Sequence, residues 1–397
     1  MPRTDSTALI IALMIVSSSA GEAWAQAEAI PPLPRRLTKV SDSLYRRQVV
    51  PDSDVFGQPG ISVDKRQLTR LATTAGYARL EELLRVLHEQ TRADVRHERN
   101  LTTAYLAFHR SDSTFGAHLD AWVAARPESP EARFARGQHY LARAWKSRGT
   151  DFMSETSEKQ VAGMMTFAEA AASDAAAGLE RQPDNLAAFN LVLGILMLAG
   201  WSDQQETVLA EGLALYPTSA VLRESALQSM VPAWGGSFQR MQQLAEEAAT
   251  LADRNPRLAS LRGYIDAEQG RLHFNEDDNA AAVHYYTRAL SFGEDASFYL
   301  GRAEAYLAAT DYVRALADLN KAWRQYPQGP NTLDLRARTL YSLVRYAPSR
   351  IALVLLDRAY EDATLLREID PEHADVEELI AAIGQARARC RAGAPRC

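Results

Sequence analysis

Positions 299 to 327 restrict this chain more than any other feature. Tyr299, Ala303, Tyr306, Tyr312, Ala315, Leu319, Ala322 and Pro327 recur at the spacings of two short helices packed antiparallel. The aromatic rings fill the space between the helices, the small Ala303 and Ala315 let the backbones approach, and Pro327 stops the second helix. Such a pair leaves an apolar face uncovered, so it needs similar pairs stacked beside it.

The neighbouring sequence supplies them. Pro183 and Pro217 stand 34 residues apart, each closing an apolar helical run. Between them Phe189, Val192, Leu193 and Leu196 paint one helical face, while Gln205, Leu209 and Gly212 occupy second-helix positions. Ala282, Tyr286 and Ala289 reappear 33 residues later as Ala315, Leu319 and Ala322. Looser helical pairs span 220–256 and 333–371, the latter with an inner loop at 345–349, and residues 375–389 form a closing helix. The segment 274–279 puts an acidic, asparagine-containing insertion where a tight turn belongs.

These spacings resemble the tetratricopeptide repeat. The resemblance implies an all-α fold, an α-solenoid of stacked antiparallel helix pairs wound as a right-handed superhelix, that holds a protein or peptide in its concave groove. Carrying the groove positions over gives Asn190, Gly194, Met197 and Leu198 from one unit and Leu300, Glu304 and Leu307 from another. The clamp type that grips a terminal carboxylate takes Lys, Asn and Arg there, and only Asn190 matches it. Met and Leu at these positions point to an apolar peptide or helix, because Met adapts to irregular partners.

The ends carry different information. Residues 1–25 have the form of a cleavable secretory signal, with Arg3, an apolar run at 8–16 and an Ala23-Trp24-Ala25 cleavage site. Export is therefore expected, to the periplasm in a two-membrane bacterium, and no later apolar run reaches the eighteen or so residues of a membrane span. Residues 26–64, rich in Pro and Gly, read as a tether, although an arm packed along the superhelix fits the same composition. The domain plan is then a helical region over 65–182, repeats over 183–374, and a capping helix with a Cys/Arg tail over 375–397.

A formal net charge of −6 argues against nucleic acid as a partner. The terminal Arg387, Arg389, Arg391 and Arg396 complement a helix dipole and otherwise face water. Cys390 and Cys397 are the only cysteines, and an oxidising compartment permits a local bridge between them.

Two motifs stand apart from the repeats: Ala144-Trp145-Lys146-Ser147-Arg148-Gly149 and Pro232-Ala233-Trp234-Gly235-Gly236-Ser237. With Trp122 and the proline-bounded turn 127–130, they resemble an uncharacterised bacterial helical family, a domain of unknown function, over 77–256. That resemblance implies an exported or envelope-linked protein with no assigned activity. Physically, Gly149 ends a helix in a positive-φ conformation, Gly235 and Gly236 break another, and Ser237 caps the next. The alternative to structural plugs is a shared pocket. Trp145, Arg148, Trp234 and the amides of Gly235 and Gly236 would then converge on a carboxylate or sugar, as a small-ligand-binding or hydrolytic site.

No metal or catalytic constellation emerges. His88, His97, His109 and His118 do not share a helical face, and Arg92 stands where a zinc-binding H-E-x-x-H would need its second histidine. Glu276, Asp277 and Asp278 lack the spacing of a calcium loop. No nucleophile elbow, phosphate loop or dinucleotide motif occurs. The leading expectation is an exported, non-enzymatic scaffold that needs no cofactor.

Overall fold

The computed structural model describes residues 42–150 and 155–393. The signal-like segment, the start of the tether and Cys397 lie outside the described residues.

Among the described residues seventeen α-helices follow one another: α1 (Lys65–Thr73), α2 (Tyr77–Ala93), α3 (Glu98–Tyr105), α4 (Ser113–Ala125), α5 (Pro130–Arg148), α6 (Glu158–Leu179), α7 (Leu186–Ala199), α8 (Ser202–Leu215), α9 (Ala220–Ser229), α10 (Phe238–Ala249), α11 (Gly263–Asn275), α12 (Asn279–Phe292), α13 (Ala296–Ala308), α14 (Tyr312–Gln325), α15 (Pro330–Leu343), α16 (Ser349–Ile369) and α17 (Val376–Arg391). Among the described residues there is no strand beyond an isolated bridge between Ser53 and Pro59. The chain is a TPR-like α-solenoid. From α5/α6 to α15/α16 the helices stack as pairs, and α17 closes the stack on α16. Ala303, Tyr306, Ala315 and Leu319 form one buried cluster inside the α13/α14 pair, where the spacing places them.

A common turn joins several pairs. Gly200, Asp277 and Thr310 each follow a first helix with φ of 72°, 61° and 59°. In each case the next N–H reaches back to a carbonyl of the last turn, Trp201 to Leu196 at 3.0 Å, Asp278 to His273 at 2.9 Å and Asp311 to Tyr306 at 2.7 Å. This is the Schellman geometry that satisfies otherwise orphaned carbonyls. Ala75, with φ 56°, and Gly76 make the same turn between α1 and α2. The expected insertion at 274–279 is therefore corrected. Phe274 and Asn275 end α11, the turn is tight, and Asp278 caps α12 by accepting from Ala281 N–H at 3.0 Å. A capping carboxylate, not a calcium ligand, explains the acidic residue there.

The corners where one pair hands over to the next are covered by the N-terminal part of the chain. Asn185, Ser219, Asn255 and Asp295 cap α7, α9, the 3-10 turn before α11, and α13. Arg92 Nε pairs with Asp184 at 2.7 Å at the first of these corners. Glu98 accepts from Ser219 Oγ and from Ala220 N–H, the latter at 2.9 Å, and so caps α9 a second time. Asn255 donates to Thr218 O at 2.7 Å and accepts from Gln58 Nε2 at 2.6 Å. Gln58 in turn accepts from Arg257 Nε at 3.1 Å, and Arg257 pairs with Asp54. Arg99 donates to Glu224 at 2.7 Å and Asp295 at 3.3 Å. Lys65 donates to Tyr326 OH at 2.6 Å and Gln328 O at 3.2 Å, while Ser111 and Lys146 both reach Glu372.

Residues 42–64 are thus not a free tether in the described part. They form an arm along the corners, with Gln58 buried and Asn320 donating to Leu44 O at 2.7 Å. Two of the terminal arginines are also less free than expected, and Arg396 lies outside the described residues. Arg387 donates to Asp357 at 2.8 Å across to α16, and Arg391 does so at 3.2 Å. Cys390 is bonded through its sulfur. Its expected partner lies outside the described residues.

Burial pushes the Glu98 carboxyl up to about 7, against the pull of Ser219 and Ala220. A folded pKa above the unfolded one means that this group's contribution is intact below about pH 4.5 and is lost as pH rises through about 7. Urea titrations of the parent and Glu98→Gln should therefore diverge with pH. The variant should gain on the parent by on the order of 3 kcal/mol between pH 5 and 8, and a pH-independent difference contradicts this. Asp54→Ala strips the buried Arg257 of a carboxylate and should cost roughly 3 kcal/mol in the same assay, against under about 0.5 for an exposed position.

Candidate functional site

The two tryptophan motifs sit far apart in sequence and meet in space. Trp145 lies in the last turn of α5, which Gly149 ends with φ 77° and an N–H donated to Trp145 O at 3.1 Å. Trp234 closes a 3-10 turn after α9, followed by Gly235 at φ 82° and by Ser237, whose hydroxyl accepts from Arg240 N–H at 3.3 Å to start α10. The two indoles touch edge to face, their centroids 5.6 Å apart at 89°. The Arg148 guanidinium stands 5.0 Å from the Trp234 centroid and 5.9 Å from that of Trp145. Its Nη1 donates to Gly149 O at 3.2 Å and its buried Nε has no hydrogen-bond partner among the described residues. A guanidinium held against two indole rings is stabilised by their quadrupoles and keeps a donor in hand.

Beside Trp234 a cleft of 460 Å³ opens between the α7/α8 and α9/α10 pairs. Leu196, Met197, Leu209 and Met230 give it apolar walls, Trp234, Gly235 and Gly236 one end, and Glu206 and Arg240 form an ion pair among its lining. Trp201, 42% exposed, follows the lining residue Gly200 on the same turn. Met197 from the expected groove and Trp234 from the alternative pocket therefore line one site.

Part of the expected chemistry is absent. Gly235 N–H donates to Pro232 O at 3.0 Å and Gly236 N–H to Val231 O at 3.2 Å, so neither amide is left for an anion. Gly236 is needed for space, because a Cβ there would overlap the Met230 carbonyl. Trp122 is core: fully buried, stacked on Tyr77 at 5.9 Å and donating to Glu81 at 3.0 Å.

The groove positions also divide. Leu198 is buried in the α5–α6–α7 core with Leu191 and Ile195, one helical face away from the cleft. Gly194 faces Leu141 of α5, whose side chain a Cβ at this position would meet at 3.1 Å. Leu300 and Leu307 pack on the buried Ala303–Tyr306 cluster. Asn190 accepts from Ser225 Oγ and ties α7 to α9. Glu304 is half-buried on α13, with its carboxyl raised by burial. Met197 alone of the set lines the cleft. Sequence reasoning missed Met230, Glu206 and Arg240: Met230 stands on the irregular link after α9, which carries no repeat signal, and Glu206 on α8 and Arg240 on α10 belong to second helices, whereas only first-helix positions were carried over.

His88 is buried and His109 half-buried, and desolvation pushes His109 down to about 4. Among the described residues no group of His, Cys, Asp or Glu is placed to hold a metal ion, and no helix is long and apolar enough to cross a membrane.

Residues 65–201 match the model of a family described as Domain of unknown function (DUF4034). The match includes the Trp145 motif, and the Trp234 motif lies beyond it. Protein unc-45 homolog B of Xenopus laevis is 27% identical over 121 residues, 30% of this chain and 12% of that protein. The Homo sapiens protein of the same name is 26% identical over 117 residues, 28% of this chain and 12% of its own length. The chain thus spans about an eighth of these relatives. Among solved structures, yeast Tom70 superposes with a TM-score of 0.40 at 12% identity, over 87% of this chain and 69% of Tom70. The TPR2AB domain of yeast Sti1, in its complex with pHSP90, gives 0.26 at 14% identity, over 78% of this chain and all of that one.

Substitution separates the two glycines. Gly236→Ala should destabilise the fold by about 2 kcal/mol or more through overlap with Met230, whereas Gly235→Ala, which has open space but a positive φ, should cost about 1 kcal/mol. Equal midpoints in thermal denaturation would contradict this reading of the turn.

Proposed function

We propose that this chain is an exported scaffold that holds an apolar segment of a protein partner in the cleft between α7/α8 and α9/α10. The observation that carries the reading is the shared lining of that 460 Å³ cleft, to which Met197, Met230 and Trp234 all contribute. Aromatic and methionine side chains in a concave site are suited to act as anchors for a partner's buried side chains. The Glu206–Arg240 pair supplies polar contacts of the kind found around such anchors. The exposed Trp201 adds apolar surface beside them.

Export rests on the signal-like residues 1–25. In a two-membrane bacterium the protein would work in the periplasm. The role needs no cofactor and no catalytic residue.

The convergence of Trp145, Arg148 and Trp234 favours a second reading, a small ligand bearing a carboxylate or sugar ring. Affinity capture from an envelope extract with residues 26–397 distinguishes the two. A protein retained by the parent should fall about tenfold with Met197→Glu and with Trp234→Ala, both checked for folding by circular dichroism. Equal capture by all three contradicts the scaffold reading. A small molecule that co-purifies with the parent and is lost from Arg148→Ala would establish the second.

A further inference from the structure

Away from that cleft, a cavity of 670 Å³ lies between α14, α15 and α16, walled by residues 44–50 of the arm. Three of its lining side chains carry a buried N–H without a hydrogen-bond partner among the described residues: Trp323 Nε1, Arg336 Nη1 and Arg358 Nε. Native interiors seldom leave donors unpaired, and here three stand around one cavity.

The surrounding charges keep these groups in place without consuming them. Arg336, its side chain 8% exposed, donates through Nε and Nη2 to Asp362 at 2.7 and 2.6 Å and lies 4.6 Å from the Trp323 centroid. Arg358 uses Nη1 on Glu361 at 2.6 and 2.8 Å. Arg66 pairs with Glu368 at 3.2 Å. Each lining carboxylate thus already has an arginine, and the exposed Arg47 adds positive charge that no lining carboxylate answers.

We propose that this cavity binds the oxyanion of a small ligand, a carboxylate or phosphate group that accepts from Trp323, Arg336 and Arg358. Guanidinium and indole N–H groups are the donors such an anion takes, and charge-assisted bonds are the stronger ones. The cavity volume lies in the range of small-molecule sites. This site is separate from the cleft beside Trp234 and shares no residue with it.

Calorimetric titration of residues 26–397 at low ionic strength, with inorganic phosphate and with succinate as probes, tests the proposal. Trp323→Phe removes one donor and keeps the ring under Arg336, and Arg47→Gln removes an exposed charge, so both variants should fold. Saturable binding of either probe is expected, weakened about tenfold by Trp323→Phe and several-fold by Arg47→Gln. Binding of phosphate alone assigns a phosphate ligand, and of succinate alone a carboxylate. Saturable binding of neither, or equal binding by parent and both variants, overturns the proposal.

Discussion

The fold depends on how the starts of its first helices are satisfied. A helix N-terminus presents unpaired N–H groups and the positive end of a dipole, and stacking pairs brings several such ends close together. Here four corners have their own caps, Asn185, Ser219, Asn255 and Asp295, and a second layer from the arm, α2 and α3 closes over them. Glu98 delivers a carboxylate to α9, and Gln58 and Asp54 bind the Asn255–Arg257 corner. Because Glu98, Asn255, Arg257 and Asp295 are almost fully buried, losing one partner exposes no water to take its place. The N-terminal region is therefore a brace across the solenoid rather than a domain tethered to it.

That brace decides where a partner can reach. First helices run from the corners to the turns, about 20 Å for a helix such as α7. The covered ends are the corners. The tryptophan site occupies the other ends, at the close of α5, the close of α7 and the link after α9. The irregular link there is what the site requires: Gly236 admits the Met230 backbone, and the resulting turn sets Trp234 against Trp145 and beside the cleft.

The repeats were legible because their signal is local. The 33-residue recurrence of Ala282, Tyr286 and Ala289 places α12 and α14, and both helices bury those residues. The turn at Asp277 was misread as an insertion because its φ of 61° is borne by Asp where Gly is usual. The brace was hidden for a different reason. Asp54, Gln58 and Glu98 carry no period, and their partners at Arg257, Asn255 and Ser219 are settled only by tertiary folding. The cleft was half legible: Met197 followed from repeat position and Trp234 from its motif, but their meeting depends on the stacking of three helix pairs. Leu198 failed as a groove residue because one step along α7 turns the side chain by about 100°, onto the face packed against α5 and α6.

Amide hydrogen exchange on the intact chain tests the brace most directly. If residues 54–64 and α3 close the corners, their protected amides and those of Ala220, Leu222 and Leu258 should open together, with one shared free energy and one dependence on denaturant. Exchange of Gln58 and Gly60 at the rate of an unstructured segment, while the corner amides stay protected, would contradict it.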